Sequence, residues 1–229
     1  MNLNVSDIGI IDYPEALILQ QNLKKQRLNG MICDTLVLLE HNPVITFGRR
    51  GKQENILASE KTLEKEKISI YETDRGGDVT YHGRGQLVGY LIFDLKEHGR
   101  DITEFIIKIQ ETFIKLLKNS YNIDSYRDDG VYTGVWTDCN KITAIGVSVS
   151  HWITMHGFAF NINTNLNYVK WINPCGITDK GVTSLEKITG IKQDFREVTN
   201  NFVNYFCEVF GMNPVFIKKE KLFELSGRE

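Results

Sequence analysis

The chain has 229 residues, of which 41% are hydrophobic and 24% charged, and its formal net charge at pH 7 is −2. This size fits one large domain or a domain with a small appendage, and we expect a single domain, residues 1–229, with a core that needs no disulfide or metal for stability. The charge balance does not indicate a nucleic-acid surface, which requires clustered Lys and Arg. No apolar run could span a bilayer and the N-terminus lacks a basic signal region, so we expect a cytoplasmic protein.

The first part of the chain predicts short strands interrupted by two helices. A helix is expected from Pro14, which is tolerated in a first helical turn, to about Leu28, where Asn29-Gly30 ends it. Strands are expected at residues 8–11, 35–40, 44–47, 68–72 and 86–95, and a short charged helix at 59–67. A glycine-rich loop is expected between the last two strands.

The second part predicts two amphipathic helices around three β-rich stretches. Residues 101–118 have helical apolar spacing with Asp101 placed as a cap, and residues 195–210 form a helix ending at Gly211. Strands are expected at residues 131–136, 141–150 and 153–162, with a tight turn at Asp138-Cys139-Asn140. These elements predict an α+β fold with a mixed, largely antiparallel central sheet flanked by helices, because regular βαβ alternation is missing.

Four widely separated cysteines give no disulfide framework and no metal-ligand spacing, so neither a metal nor a cofactor is predicted. A free cysteine is more often an inert buried residue than a nucleophile. Cys175, however, lies between Pro174 and Gly176, a setting typical of a loop, where a nearby cation makes a thiol reactive. The other three, Cys33, Cys139 and Cys207, lack that setting. Cys175 is therefore the first candidate for a nucleophile.

Two further segments combine glycines or small residues with a cation. In residues 75–83, glycines allow close approach of the backbone to a ligand, and Arg75 and His82 are candidates to anchor a polar group; an ordinary surface loop is the alternative. In residues 141–147, Lys141 opens an apolar strand, which ordinarily means a solvated strand end. Ala144 and Gly146 either leave room beside the sheet or pack tightly against a neighbouring element.

Taken in order, these segments resemble the lipoyl(octanoyl) transferase family. The similarity covers most of the chain between about residues 40 and 185. Its motifs are His41-Asn42-Pro43, Gly48-Arg49-Arg50-Gly51, Glu54-Asn55-Ile56-Leu57, residues 75–90, Gly134-Val135-Trp136, residues 141–147, His156-Gly157-Phe158-Ala159, Asn161-Ile162, Pro174-Cys175-Gly176-Ile177 and Val182-Thr183-Ser184-Leu185. A glycine loop alone would be a weak signal, whereas the ordered set is specific.

The resemblance implies a fold similar to the catalytic domains of biotin and lipoate protein ligases. It also implies an acyltransferase that moves an octanoyl or lipoyl group from acyl carrier protein to a lysine of lipoyl domains. The expected acceptors are the E2 subunits of 2-oxoacid dehydrogenases and the glycine cleavage H protein. No cofactor, nucleic acid or membrane partner is expected.

The resemblance also assigns residues to roles. Cys175 carries the acyl thioester and Lys141 is the lysine paired with it. The segments that line the acyl group are Arg75, Gly76, Gly77, Asp78, Val79, Thr80, Tyr81, His82, Ala144, Ile145, Gly146, Gly157, Phe158 and Ala159. Two positions depart from the family pattern: Asp78 stands where Gln is common, and Arg84 where Pro is common. Both flank the acyl-binding loop, so these departures bear on its shape and on the docking of the donor and not on the cysteine and lysine.

In the hypothetical mechanism, protonated Lys141 lowers the pKa of the Cys175 thiol, and the same lysine, once deprotonated, accepts a proton from the incoming amine. His82 is the second candidate for this base, or a structural residue of its loop. The nearest alternative is an ATP-dependent lipoate or biotin ligase, which needs no nucleophilic cysteine. A non-catalytic module that binds an acyl carrier or lipoyl domain, and a cysteine hydrolase using His82, are more distant alternatives.

Overall fold

A computed structural model describes residues 1–128, 133–173 and 181–227. The strands are β1 (Asn2–Ile11), β2 (Thr35–His41), β3 (Val44–Phe47), β4 (Ser69–Glu72), β5 (Val79–His82), β6 (Gln86–Ile92), β7 (Tyr126–Asp128), β8 (Gly134–Thr137), β9 (Asn140–Ser150), β10 (Ile153–Asn161), β11 (Gly181–Val182) and β12 (Asn213–Phe216). The helices are α1 (Tyr13–Leu28), α2 (Glu60–Lys65), α3 (Ile102–Tyr121), α4 (Leu185–Thr189), α5 (Phe195–Phe210) and α6 (Lys219–Leu225).

The strands form one large and one small sheet. The large sheet has the order β12-β1-β2-β6-β10-β9-β8-β7, with β11 pairing to β9, and the small sheet has the order β4-β3-β5. In the large sheet, β1 pairs in parallel with β2 and β12, and β11 with β9, whereas every pairing from β2 through β7 is antiparallel. The predicted α+β class with a largely antiparallel sheet is confirmed.

Helices cover both faces of the large sheet. On one face α3 and α5 pack over a cluster of phenylalanines, in which the ring of Phe202 lies 4.9 Å from Phe113 and 4.8 Å from Phe158, centroid to centroid. On the other face α1 buries Leu19 and Leu23 against the strands. Along the described ranges, no helix combines the length and apolarity that a transmembrane span needs.

The predicted long helices agree with the structure. The α1 helix ends at Leu28, α5 spans the predicted residues, and Gly211 ends α5 in a left-handed conformation with φ of 63°. Asp101 caps α3, since its carboxylate accepts the backbone N–H groups of Thr103 and Glu104. The predicted turn between β8 and β9 also forms. These elements agree because capping and apolar spacing act over a few neighbouring residues.

The strands agree less well. Residues 79–82, predicted as part of a loop, form β5, which pairs with β3 because its β-branched and aromatic residues suit a pleated surface. β1 begins at Asn2 rather than residue 8, since its first residues pair with β12. The strand predicted for 86–95 ends at Ile92. Of the strand predicted for 131–136, residues 131 and 132 lie outside the described residues, and β8 begins at Gly134.

Candidate active site

A cavity of about 420 Å³ lies between the small sheet and the centre of the large one. It is lined by every residue predicted to contact an acyl group: Arg75, Gly76, Gly77, Asp78, Val79, Thr80, Tyr81, His82, Ala144, Ile145, Gly146, Gly157, Phe158 and Ala159. Lys141 lines it as well. Three segments that are far apart in sequence thus line one cavity. Its volume is within the roughly 300–1,000 Å³ typical of small-molecule pockets.

The glycines of the cavity wall permit close backbone contacts. A Cβ on Gly146 would lie 2.6 Å from the carbonyl oxygen of Gly76, so glycine is required where the loop rests on β9. The N–H of Gly76 donates to the carbonyl of Val147 over 3.0 Å. Of the two sequence-based interpretations of Gly146, tight packing against a neighbouring element is therefore the one the structure supports.

Arg75 braces the loop against the small sheet. Its guanidinium donates to the carbonyl of Thr46 over 2.7 Å, to the hydroxyl of Thr46 over 3.2 Å, and to the carbonyl of Gly76 over 3.0 Å. The side chain is buried. These protein acceptors hold the guanidinium, so Arg75 shapes the cavity wall.

His82 is a buried, neutral part of a hydrogen-bond chain. Gln86 Nε2 donates to the carbonyl of Tyr81 and to Asn161 Oδ1, so Gln86 Oε1 must accept from His82 Nδ1, at 2.8 Å. Burial, the nearby His41 and the cationic Arg75 hold the pKa of His82 well below its usual value. This environment favours the structural role for His82 over that of a base.

The first departure from the family pattern has a clear structural role. The Asp78 carboxylate accepts hydrogen bonds from Asn55 Nδ2 and from the backbone N–H of Lys52, and the Asp78 carbonyl accepts the N–H of Gly48. Asp78 therefore ties residues 48–55 to the cavity loop. Arg84, the second departure, is exposed and does not line the cavity.

Lys141 reaches the cavity through an irregularity in the sheet. The register of β8 on β9 shifts between Val135 and Trp136, and Lys141 is paired with Trp136 on one side and Val182 on the other. Its Nζ lies 4.8 Å from the centroid of the Trp136 ring, a cation–π contact that orients the ammonium group. Lys141 is half-buried, so it is not the solvated strand end that its position in the sequence would ordinarily indicate.

The predicted nucleophile, Cys175, lies outside the described residues, with Pro174, Gly176 and Ile177. The described chain on either side is anchored: the N–H of Asn173 donates to the carbonyl of Asn55 over 2.8 Å, and Gly181 pairs with Asn140, the residue before Lys141. The described cysteines do not line the cavity. Two of them are exposed, and burial raises the pKa of the third, Cys207.

Sequence reasoning missed a histidine–aspartate pair at the cavity. His156 Nε2 lies 2.7 Å from Asp74 Oδ1, and this hydrogen bond is the main cause that holds the pKa of Asp74 well below its usual value. His156 has φ of 60° in the middle of β10, a left-handed conformation that costs a non-glycine residue roughly 1–3 kcal/mol. The motif His156-Gly157-Phe158-Ala159 shows that the residue matters but does not reveal this geometry.

His41 and Tyr90 lie beneath the same cavity. His41 Nδ1 donates to the carbonyl of Ile11 over 2.8 Å, so its Nε2 accepts from the Tyr90 hydroxyl, at 2.6 Å. Burial lowers the pKa of His41 to about 4 and raises that of Tyr90, so both groups are uncharged near neutral pH. The nearby Tyr13 phenol also has a raised pKa, about 12, mainly through burial. The histidines and tyrosines there form a neutral floor.

Comparison with known proteins identifies the family of this chain. The lipoyl protein ligase A/B catalytic domain matches residues 12–207. The octanoyltransferase of Caldicellulosiruptor saccharolyticus is 53% identical over 98% of the chain and 96% of its own length, and that of Desulforamulus reducens is 49% identical over the full length of both. The chain therefore belongs to the lipoyl protein ligase A/B catalytic domain family. The predicted family is confirmed, and the predicted class of enzyme, an acyltransferase, agrees with what these relatives are named.

Solved structures of low sequence identity have the same fold. A lipoate-protein ligase A bound with ATP superimposes with a TM-score of 0.78 at 14% identity, covering 99% of this chain and 93% of the ligase chain. At such identity the likeness establishes the fold alone. The predicted resemblance to ligase catalytic domains is therefore confirmed at the level of architecture, independently of any shared chemistry.

Proposed function

We propose that this chain transfers an octanoyl group from acyl carrier protein to a lysine of a lipoyl domain, through a thioester on Cys175. The observation that carries the proposal is the single cavity in which all three predicted acyl-binding segments meet Lys141. The octanoyltransferase relatives, which align over nearly the whole chain, support the choice of acyl group. Because both sheets contribute to that cavity, we treat residues 1–229 as one catalytic domain. A reactive thiol suits a reducing compartment, so a cytoplasmic location is part of the proposal.

The cavity suits a medium-length acyl chain. Its walls combine glycine backbone with apolar side chains such as Val88, Ile145, Val147 and Phe158. Burial of each methylene contributes about 0.8 kcal/mol, so an octanoyl chain gains roughly 5 kcal/mol from leaving water. The neutral floor imposes no unpaired charge on that chain. We therefore assign Arg75 to His82, Ala144 to Gly146 and Gly157 to Ala159 to the acyl wall.

In the first half-reaction the Cys175 thiolate attacks the carbonyl carbon of the donor thioester. The new C–S bond replaces the one to the carrier thiol, which leaves as a thiolate and takes the proton of the Lys141 ammonium group, so that Lys141 is neutral for the second half-reaction. One thioester becomes another, so no ATP is required. An unperturbed cysteine, with a pKa of about 8.5, is only a few per cent ionised at pH 7. The Lys141 ammonium, held against Trp136, supplies the positive charge that favours the thiolate.

In the second half-reaction a neutral acceptor lysine attacks the acyl-enzyme. An amide bond forms, the bond to the Cys175 sulfur breaks, and the amine proton passes to a base. We assign this role to deprotonated Lys141, which lines the cavity, rather than to His82, because burial holds the pKa of His82 well below its usual value and makes it a weak base. The expected acceptors remain lipoyl domains of E2 subunits and of the glycine cleavage H protein.

The thioester is tested by intact-protein mass spectrometry after incubation with octanoyl-acyl carrier protein alone. The wild-type protein should gain an octanoyl mass that hydroxylamine removes, and Cys175→Ala should not. Cys139→Ala is the matched control, because Cys139 is an exposed thiol in the turn that leads into β9. Retention of the adduct in Cys175→Ala, or its absence from the wild type, would refute the mechanism.

The role of Lys141 is tested by the pH dependence of Cys175 alkylation, followed on the peptide that contains it. Lys141→Met should raise the apparent pKa of the thiol, whereas Lys141→Arg, which keeps the charge, should preserve most of it. An identical profile in Lys141→Met and wild type would exclude the electrostatic role.

An ATP-dependent ligase is the alternative that the shared fold leaves open. It predicts transfer from free octanoate with ATP and no need for Cys175. Transfer from the carrier thioester without ATP, together with no transfer from octanoate plus ATP, separates the two activities in one experiment.

A further inference from the structure

The acyl loop, residues 74–78, is attached to the large sheet at two neighbouring points. Asp74 Oδ1 lies 2.7 Å from His156 Nε2 on β10, and the Gly76 N–H donates to the Val147 carbonyl on β9. Val147 and His156 are direct partners in the β9–β10 register. Both attachments therefore fall on a single pair of residues, directly beneath the loop that walls the cavity.

His156 is fixed in place before any ligand binds. Its left-handed backbone is supported by the backbone N–H, which donates to Gln20 Oε1 over 2.8 Å, and Gln20 is fully buried on α1. The His156 side chain is only 3% exposed. A strained residue of this kind persists where surrounding contacts determine its geometry. The imidazole is thus a rigid point to which the loop attaches.

Asp74 is the exposed half of the pair. Its side chain is 51% exposed, and it begins the loop that continues into the buried Arg75. A contact joining two exposed polar side chains contributes little, but here the His156 imidazole is rigid and buried. Loss of the contact would remove the attachment of the first loop residue to β10, while leaving in place the hydrogen bonds of Arg75 to Thr46 and of Thr73 to Phe47.

We propose that Asp74 and His156 form a latch that holds the acyl loop in its acyl-binding conformation, which makes both of them positioning residues for the octanoyl donor. This inference rests on the proposed function. With the latch intact, the loop is ordered before the acyl chain arrives. Without it, part of the binding free energy must order the loop, so affinity for the donor falls while the chemistry at Cys175 is unchanged.

Steady-state kinetics with hexanoyl, octanoyl and decanoyl carrier-protein thioesters test the latch. Asp74→Ala should raise KM for the octanoyl donor roughly ten-fold, with kcat within about two-fold of wild type, and should flatten the preference among chain lengths. Asp74→Asn should recover most of the affinity, because its amide oxygen accepts a hydrogen bond from the imidazole. Glu72→Ala is the matched control, since Glu72 is an exposed carboxylate on the neighbouring β4.

Two results would overturn the latch. One is an Asp74→Ala protein with the KM and chain-length profile of wild type. The other is a loss of kcat at constant KM accompanied by a lower melting temperature, which would indicate a purely structural role. These results are distinct from a failure of the proposed function, in which the wild-type protein itself forms no octanoyl adduct. A normal wild-type adduct together with an unaltered Asp74→Ala protein would refute the latch alone.

Discussion

Two buried polar clusters in this fold differ in charge: the groups of one are neutral, and the other contains ion pairs. The first, which we call the cavity floor, consists of Tyr13, His41, His82 and Tyr90. Its rings lie close together, with the His41 and His82 centroids 5.7 Å apart. The second, the Asp34 cluster, joins Arg27, Asp34, Asp94, Glu97 and His98 where the end of α1 meets the start of β2. Both are built from groups that can ionise, yet only the second is assembled from ion pairs.

The difference follows from what surrounds each cluster. At the Asp34 cluster burial would raise the pKa of Asp34, but hydrogen bonds from His98, Arg27 and the backbone N–H of Asp94 outweigh it and lower that pKa. In the cavity floor, burial outweighs the hydrogen bond of His41 to Ile11 and the charge of Asp12, and the cationic Arg75 opposes protonation of His82. Burial thus keeps the cavity floor neutral, whereas the carboxylate of Asp34 stays ionised because its charge is paired.

The largest expected effect comes from breaking the charged cluster. Asp34→Asn removes the anion that lies 2.8 Å from Arg27 Nε and 2.6 Å from His98 Nε2. Leaving Arg27 buried without it should lower the free energy of unfolding by about 3 kcal/mol, measured by urea denaturation. Asp124→Asn is the control, because Asp124 is 90% exposed and its pair with Lys118 should contribute little. A change below about 1 kcal/mol for Asp34→Asn would show that the cluster is not a stabilising centre.

The cavity floor should instead make stability depend on pH. The pKa of His41 is about 4 in the folded protein, below the ordinary 6.5, so between these values the unfolded chain binds a proton that the folded chain does not. Stability therefore falls as pH falls through this window, by roughly 2 kcal/mol between pH 7 and 4.5 for this group alone. His82 acts in the same direction.

Urea denaturation of wild type and His41→Gln at both pH values isolates the contribution of His41. The variant is expected to be less stable at pH 7, because the bonds to Ile11 and Tyr90 change, but to lose less stability on acidification. Asp34 does not confuse the comparison, because its pKa lies below the ordinary 3.8 and it stays ionised at pH 4.5. Parallel pH dependences in the two proteins would mean that His41 is not a buried neutral residue.

The sequence predicted local features better than it predicted either cluster. Helices α3 and α5 were predictable because caps and apolar spacing lie within the element itself. The residues of the acyl wall followed from motifs, and the structure places all of them around one cavity. By contrast, β5 was not predicted because the glycines on either side of it indicated a loop. β12 was not predicted because it pairs with β1, which is distant in sequence.

The ionisation states could not be read from sequence, because they depend on contacts made across the fold. His156 and Asp74 lie 82 residues apart, and His41 and Tyr90 lie 49 apart. His41 stands in a quoted motif, yet nothing local shows that it is buried or that Tyr90 donates to it. The prediction for Lys141 rested on the family resemblance. Its contact with Trp136 depends on a register shift between β8 and β9, which the sequence pattern does not indicate.

The smallest expected effect lies at the edge of the Asp34 cluster. Glu97 is 51% exposed and pairs with Arg27 over 2.7 Å, so water screens this interaction. Glu97→Gln should therefore lower the free energy of unfolding by less than about 1 kcal/mol, and the difference from wild type should shrink in 1 M salt. The effect of Asp34→Asn should persist in the same salt, because Asp34 is buried and screened little. Equal salt sensitivity of the two variants would place the whole cluster in contact with solvent and remove its contrast with the cavity floor.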